Sequence, residues 1–133
     1  MLRMISTKVH GVLDYLVGVL LIVLPTLLGF SSQGLETWTM VGLGIATLVY
    51  SLLTRYELGL VRLLSMPLHL GIDLISGLLL TFSPWLFGFA DRVFLPHVIA
   101  GIAEIAVFLL STPEVVRTPG PTVHHPQEYH VKP

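Results

Sequence analysis

Residues 69–89 read HLGIDLISGLLLTFSPWLFGF, and residues 10–30 read HGVLDYLVGVLLIVLPTLLGF. Sliding the chain against itself by 59 positions superimposes these segments without a gap. The matched pairs are His10 and His69, Asp14 and Asp73, Gly18 and Gly77, Pro25 and Pro84, Gly29-Phe30 and Gly88-Phe89, and, further along, Gly42 and Gly101. Shared hydrophobicity alone does not reproduce polar, glycine and proline positions, so the sequence indicates an internal duplication.

The chain is apolar enough to lie in a membrane. A transmembrane helix needs about 20 apolar residues to cross roughly 30 Å of hydrocarbon. Four segments meet this requirement, at about 9–30, 37–54, 67–89 and 94–112. The whole chain of 133 residues is 53% apolar and 11% charged, against roughly 25% charged in an average soluble domain. The expected partner of this surface is the lipid bilayer.

Composition also excludes several classes of function. With a formal net charge of −1, the chain has no basic stripe that could neutralise a row of phosphates, so we expect no nucleic-acid partner. The absence of cysteine excludes disulfides, thiolate metal sites and thiol catalysis. No glycine-rich phosphate loop, nucleophile elbow or His-Glu-x-x-His motif is present, and we expect no enzymatic activity.

The repeat determines the expected architecture. Each copy contains two spans, an even number, so both copies enter the membrane in the same orientation. The predicted fold class is therefore an all-α membrane protein, with four transmembrane helices forming two tandem helical hairpins in parallel orientation. The transmembrane domain covers about 1–112, with repeat one at about 8–54 and repeat two at about 67–112.

Positive charges predict the orientation in the membrane. Only Arg92 lies on one side, whereas the termini and the middle loop carry Arg3, Lys8, Arg55, Arg62, Arg117 and Lys132. By the positive-inside rule, both termini are cytoplasmic in a protein of the inner membrane. The middle loop, residues 55–66, is either a short amphipathic helix at the interface or an ordinary ordered loop.

The last residues differ in character from the rest of the chain. Residues 113–133 contain five prolines and no apolar periodicity, which predicts a disordered cytoplasmic tail. The tail contains His124, His125 and His130, whose loose spacing indicates opportunistic uptake of a metal ion at most.

One motif suggests a family. Residues 83–89 begin with Ser83, Pro84 and Trp85 and end in Gly-Phe. Together with the duplicated His-x-x-x-Asp, they resemble the signature of the SPW-repeat family of small bacterial integral membrane proteins. The resemblance covers nearly all of residues 8–112, although the first copy has Leu-Pro-Thr where the second has Ser-Pro-Trp. It implies a four-helix membrane unit and brings no established reaction.

The duplicated polar residues form the first candidate site. His10 and Asp14 share one helix face, and His69 and Asp73 repeat that spacing. Ionisable groups in hydrocarbon are costly unless they are paired or wetted. One interpretation is structural, with His10 paired to Asp73 and His69 to Asp14. The alternatives are a four-ligand site for a divalent metal such as zinc, a proton-accepting cluster at a conduction path, and helix ends exposed to interfacial water.

A second candidate cluster lies on the fourth span. His97 and Glu104 are seven residues apart, two helical turns, with Gly101 between them on nearly the same face. Glu104 falls near mid-membrane, where the structural account is a protonated carboxyl bonded to a neighbouring helix. We therefore expect Glu104 to face the bundle interior or a protomer interface.

These features predict a non-enzymatic membrane protein without a resident cofactor. In the first interpretation it is a packing or assembly unit that forms a homo-oligomer or joins a larger membrane complex. The alternative is a proton or metal-ion transporter that uses the intramembrane histidine and acidic residues.

Overall fold

The protein is all-helical, as the sequence predicts. The computed structural model describes residues 2–31 and 34–114. Its four helices are α1 (Thr7–Leu27), α2 (Leu35–Leu52), α3 (Met66–Leu86) and α4 (Leu95–Leu110). Of the predicted disordered tail, 113–133, residues 115–133 with the three histidines lie outside the described residues.

Three of the four helices are long and apolar enough to cross a membrane, namely α1, α2 and α3. Helix α4 is apolar but has 16 residues, which at 1.5 Å per residue gives a length of about 24 Å. It is shorter than the predicted span 94–112 because Phe94 and Ser111 adopt non-helical backbone conformations at its two ends.

Local sequence explains how the helices begin and end. The Ser6 side chain caps α1 by accepting a hydrogen bond from the Val9 backbone N–H at 3.3 Å, which satisfies one of the free donors of the first turn. Pro67 and Pro96 occupy the first turns of α3 and α4, where proline is tolerated.

Each repeat is a hairpin whose helices approach closely at glycines. A methyl group on Gly44 of α2 would lie 2.6 Å from the Gly18 carbonyl oxygen of α1, and one on Gly101 of α4 would lie 2.6 Å from the Gly77 carbonyl oxygen of α3. Two backbones in such contact leave no room for a side chain. The two hairpins therefore share one crossing geometry.

This crossing corrects the alignment of the second helices of the repeats. The ungapped comparison matched Gly42 with Gly101, but Gly42 is exposed and a methyl group on it would meet nothing within 4 Å. Gly44 is the structural equivalent of Gly101, 57 rather than 59 positions away. The stretch from Gly18 to Gly44 is thus two residues longer than the stretch from Gly77 to Gly101.

The middle loop and the N-terminal residues close one end of the molecule. Thr54 forms an isolated β-bridge with Leu64, and Ile5 forms one with Ser111. Residues 53–65 contain no helix, so the interfacial-helix interpretation is wrong and this segment is an ordered loop. Residues 2–5, the end of α4 and the middle loop consequently lie at the same end of the bundle.

Candidate functional site

The four duplicated polar residues meet between α1 and α3. His10 Nε2 lies 3.0 Å from Asp73 Oδ2, and His69 Nε2 lies 3.1 Å from Asp14 Oδ2. These are the cross-pairs that the sequence predicts. Each of the four residues is at most 6% exposed, so the fourth alternative, helix ends open to interfacial water, does not describe them. We call these four residues the His/Asp centre.

The centre is more compact than two separate pairs. The Nε2 atoms of His10 and His69 are 3.2 Å apart. Each histidine also lies close to the aspartate on its own helix, with His10 Nε2 at 3.2 Å from Asp14 Oδ1 and His69 Nε2 at 3.4 Å from Asp73 Oδ2. One atom from each of the four residues can be chosen so that all lie within 4.8 Å of one another. Both imidazoles and both carboxylates therefore converge on one point.

The other ring nitrogens contact hydroxyl groups of the opposite repeat. His10 Nδ1 lies 2.7 Å from Ser111 Oγ, and His69 Nδ1 lies 2.7 Å from Thr54 Oγ1. Thr54 and Ser111 are 57 positions apart, the spacing that also relates Gly44 to Gly101. The two contacts are thus equivalent under the same pseudo-two-fold relation.

A family model supports this view of the duplication: the SPW repeat domain matches residues 8–111. The chain belongs to the SPW repeat family. No curated protein and no solved structure matches it. In this SPW repeat protein, the matched residues include both hairpins and the whole His/Asp centre.

The Ser-Pro-Trp motif lies apart from the centre, at the far end of α3. Ser83 is buried, and its Oγ donates to the Leu80 carbonyl oxygen of its own helix at 2.8 Å. Pro84 is buried, whereas Trp85 is 56% exposed and packs near Phe94. An exposed tryptophan near the end of a membrane helix is typical of the interfacial aromatic belt. The motif that indicates the family therefore lies at the end of the hairpin opposite the His/Asp centre.

Three further hydroxyl groups orient the aspartates. Tyr50 donates to Asp73 Oδ1 at 2.6 Å, while Ser51 and Tyr56 donate to Asp14 Oδ2 at 3.3 and 3.4 Å. Burial and the neighbouring Asp14 raise the pKa of Tyr56, which lies in the loop after α2, so this phenol keeps its proton and remains a donor. The donors hold the carboxylates with their oxygens directed at the centre.

A cavity of about 50 Å³ adjoins the centre on the side away from the middle loop. His10, Asp14 and Asp73 contribute to its wall, together with Tyr50 and Glu104. One buried water requires roughly 10–15 Å³ on this scale, so the cavity has room for a few water molecules.

Glu104 faces the bundle interior, as expected, but without the expected partner. Both of its carboxyl oxygens are buried and have no hydrogen-bond partner among the described residues. Its structural equivalent in the first repeat is Thr47, which lines the same cavity and whose hydroxyl donates to the Leu43 carbonyl oxygen at 2.9 Å.

The structure does not join His97 to Glu104. His97 Nε2 donates to the Glu36 carbonyl oxygen at 2.8 Å, and its ring packs against Phe30 and Phe89. It is buried near the start of α4, two turns from Glu104. The second cluster is therefore two separate sites, of which only Glu104 adjoins the His/Asp centre.

Sequence reasoning missed the residues around the centre. Thr54 and Ser111 stand outside the ungapped match, because that comparison aligns Ser111 with Leu52. A gap of two residues in the second copy, placed between Phe89 and Gly101, would have aligned the two hydroxyls at corresponding helix ends. No comparable signal marks Tyr50, because its equivalent under the 57-residue spacing is Val107.

Proposed function

We propose that this SPW repeat protein binds one divalent transition-metal ion between its two repeats, in the inner membrane, through His10, Asp14, His69 and Asp73. The observation that carries the proposal is the use of both Nδ1 atoms by hydroxyl groups. This arrangement leaves both Nε2 atoms, together with the two carboxylates, directed at one point.

The hydroxyl groups determine which nitrogen carries the proton. Ser111 Oγ donates its single hydrogen to the Val107 carbonyl oxygen at 2.6 Å, and Thr54 Oγ1 donates to the Tyr50 carbonyl oxygen at 2.7 Å. Each hydroxyl can then only accept from the adjacent Nδ1–H. In a neutral imidazole the Nε2 atom consequently carries a lone pair and no proton. This is the form in which histidine binds metals.

Two lone pairs beside two carboxylates require positive charge between them. Either one divalent cation or two protons would leave the His/Asp centre neutral, which a site in hydrocarbon favours. Because these occupants compete, metal binding should release up to two protons.

Distances favour the metal ion over the two protons. The four His–Asp separations are 3.0 to 3.4 Å, longer than the roughly 2.7–2.9 Å of a charge-assisted hydrogen bond. Four ligands about 2.0 Å from a tetrahedral zinc ion lie about 3.3 Å from one another. His10 Nε2 also has three neighbours within 3.2 Å, and a single N–H can point at only one of them.

The ligand set indicates the class of ion and of function. Two imidazoles and two carboxylates suit zinc or a similar transition metal. Four protein ligands fill a tetrahedral shell and leave no open position for a substrate, as in structural zinc sites. We therefore propose a non-enzymatic role, in which the ion joins the hairpins as part of a packing unit. Self-association, or joining a larger complex, stays a prediction that light scattering of the purified protein can check.

Metal-ion transport is the second candidate, favoured by the cavity that leads from the centre to Glu104. Proteoliposomes loaded with a fluorescent chelator distinguish the two roles. A transporter should carry Zn²⁺ inward when a proton gradient is imposed, whereas a packing unit should bind the ion without flux.

Metal analysis of the purified protein tests the proposal. The tail histidines His124, His125 and His130 are first replaced by asparagine in the full chain, so that they cannot contribute ligands. We expect one Zn²⁺ or Co²⁺ per chain and the visible spectrum of tetrahedral cobalt.

The matched variants are His69→Gln and His97→Gln, which remove buried histidines inside and outside the centre. The first should lose the metal and the second should keep it. Absence of stoichiometric metal in the parent protein, or equal retention by both variants, would exclude the proposed centre.

A further inference from the structure

We propose that Glu104 is the transfer residue of the His/Asp centre, holding a hydrated cation in the adjoining cavity as the ion enters or leaves. This inference rests on the proposed metal centre. It adds a second, transient cation position with a carboxylate ligand.

The first argument is the state of the Glu104 carboxyl. Both oxygens are buried without a partner among the described residues, although a buried polar group is normally hydrogen-bonded. Leaving a carboxyl in this state is unfavourable. A cation with its remaining water in the cavity would supply the missing contacts.

The second argument is access. At the end that carries the middle loop, Thr54, Tyr56 and Ser111 contact the centre directly and are themselves at most 2% exposed. The cavity reaches the centre from the opposite direction. An ion that uses this approach passes Glu104 before it meets the aspartates.

The third argument is the continuation of the cavity between α1 and α4. Val17 and Ala103 line both the cavity and an apolar groove of about 340 Å³ between these helices. The groove walls are almost entirely aliphatic and offer a cation no ligand. A carboxylate at the inner end of this passage is therefore where a cation would be held.

The fourth argument is the broken symmetry of the repeat. Glu104 and Thr47 occupy equivalent positions and line the same cavity, while each copy supplies one histidine and one aspartate to the centre. A structural requirement common to both hairpins would call for the same residue twice. A single carboxylate in a cavity shared by both repeats therefore meets a requirement of the cavity itself.

Stopped-flow binding of Co²⁺ to the full chain, with the tail histidines replaced, tests the role of Glu104. Glu104→Gln keeps the shape of the side chain and removes its charge. We expect association with Co²⁺, and release to a chelator, to slow by at least tenfold, while the equilibrium Kd changes less than about threefold. The exchanged variant Thr47→Glu/Glu104→Thr restores a carboxylate to the same cavity and should recover faster exchange.

The outcomes separate this inference from the metal centre itself. A Glu104→Gln protein with unchanged rates would overturn the transfer role and leave the centre intact. A tenfold weaker Kd at an unchanged association rate would make Glu104 a permanent ligand and overturn it as well, as would an exchanged variant as slow as Glu104→Gln. If the parent protein binds no Co²⁺, the proposed function fails before Glu104 is considered.

Discussion

At the scale of single residues, two hydroxyl groups decide which nitrogen of each histidine faces the centre. Ser111 and Thr54 hold the Nδ1–H groups because their own hydrogens are donated to helix carbonyl oxygens. Partners of this kind fix the orientation and basicity of a metal-binding imidazole, and their loss typically weakens metal affinity by about 10–100-fold.

Ser111→Ala should therefore lower the affinity of the centre for Zn²⁺ by about 10–100-fold, as measured by competition with a chelator. Ser83→Ala is the matched control, since Ser83 is equally buried and its hydroxyl donates to a carbonyl oxygen of its own helix. Equal affinities in the two variants would show that Ser111 does not act on His10.

How far the sequence predicts the centre depends on the kind of signal. His10 and Asp14 are recognisable because four residues make one helical turn and because the pair recurs in the second copy. Their hydroxyl partners come from helix ends distant in sequence, and serine and threonine are common at such ends. Recognising them requires knowing how the hairpins pack, which residue spacing alone does not contain.

At the scale of helices, the glycine crossings determine how closely each hairpin closes. Gly44 and Gly101 face a carbonyl oxygen of the partner helix, so an added methyl group meets backbone that cannot rotate away. Gly42, two residues earlier in α2, faces open space. The ungapped sequence comparison paired Gly101 with Gly42 instead of Gly44, because apolar helices carry little information about small shifts of alignment.

Gly44→Ala and Gly101→Ala should each reduce the stability of the protein in detergent by about 1–3 kcal/mol, the usual effect of overpacking. Gly42→Ala serves as the control and should leave stability unchanged or slightly higher, since alanine is the better helix former. Thermal or denaturant unfolding followed by circular dichroism measures the difference. A larger loss for Gly42→Ala than for Gly44→Ala would contradict the crossing described above.

At the scale of the whole molecule, the two hairpins share their main internal contacts and differ at a few positions. The polar centre, the glycine crossings and the β-bridges occur in equivalent pairs, whereas Glu104, His97 and the shorter spacing between the crossing glycines belong to the second repeat. The contacts that occur in both hairpins hold the helices together. The features that occur in only one repeat make the two halves of the molecule different. The sequence predicted the duplication from motifs but not the groove between α1 and α4, which depends on how the hairpins are placed against each other.

The orientation of the molecule in the membrane is the remaining prediction at this scale. Residues 2–5, the middle loop and Ser111 lie at one end, and this end carries Arg3, Lys8, Arg55 and Arg62. Arg92 lies in the loop between α3 and α4, at the other end, where it pairs with Glu36 at 3.0 Å. Positive charge is retained on the cytoplasmic side, so the end with the middle loop should be cytoplasmic.

Because the chain has no cysteine, single cysteines report this orientation without background. Ser31→Cys places a thiol after α1, and Leu63→Cys places one at an exposed position of the middle loop. In intact cells, a membrane-impermeant maleimide should label the first variant and reach the second only after the membrane is opened. The reverse pattern would invert the orientation and put the His/Asp centre near the outer face. If both variants were labelled in intact cells, the hairpin model would be wrong. The loop after α1 and the middle loop would then lie on the same side of the membrane.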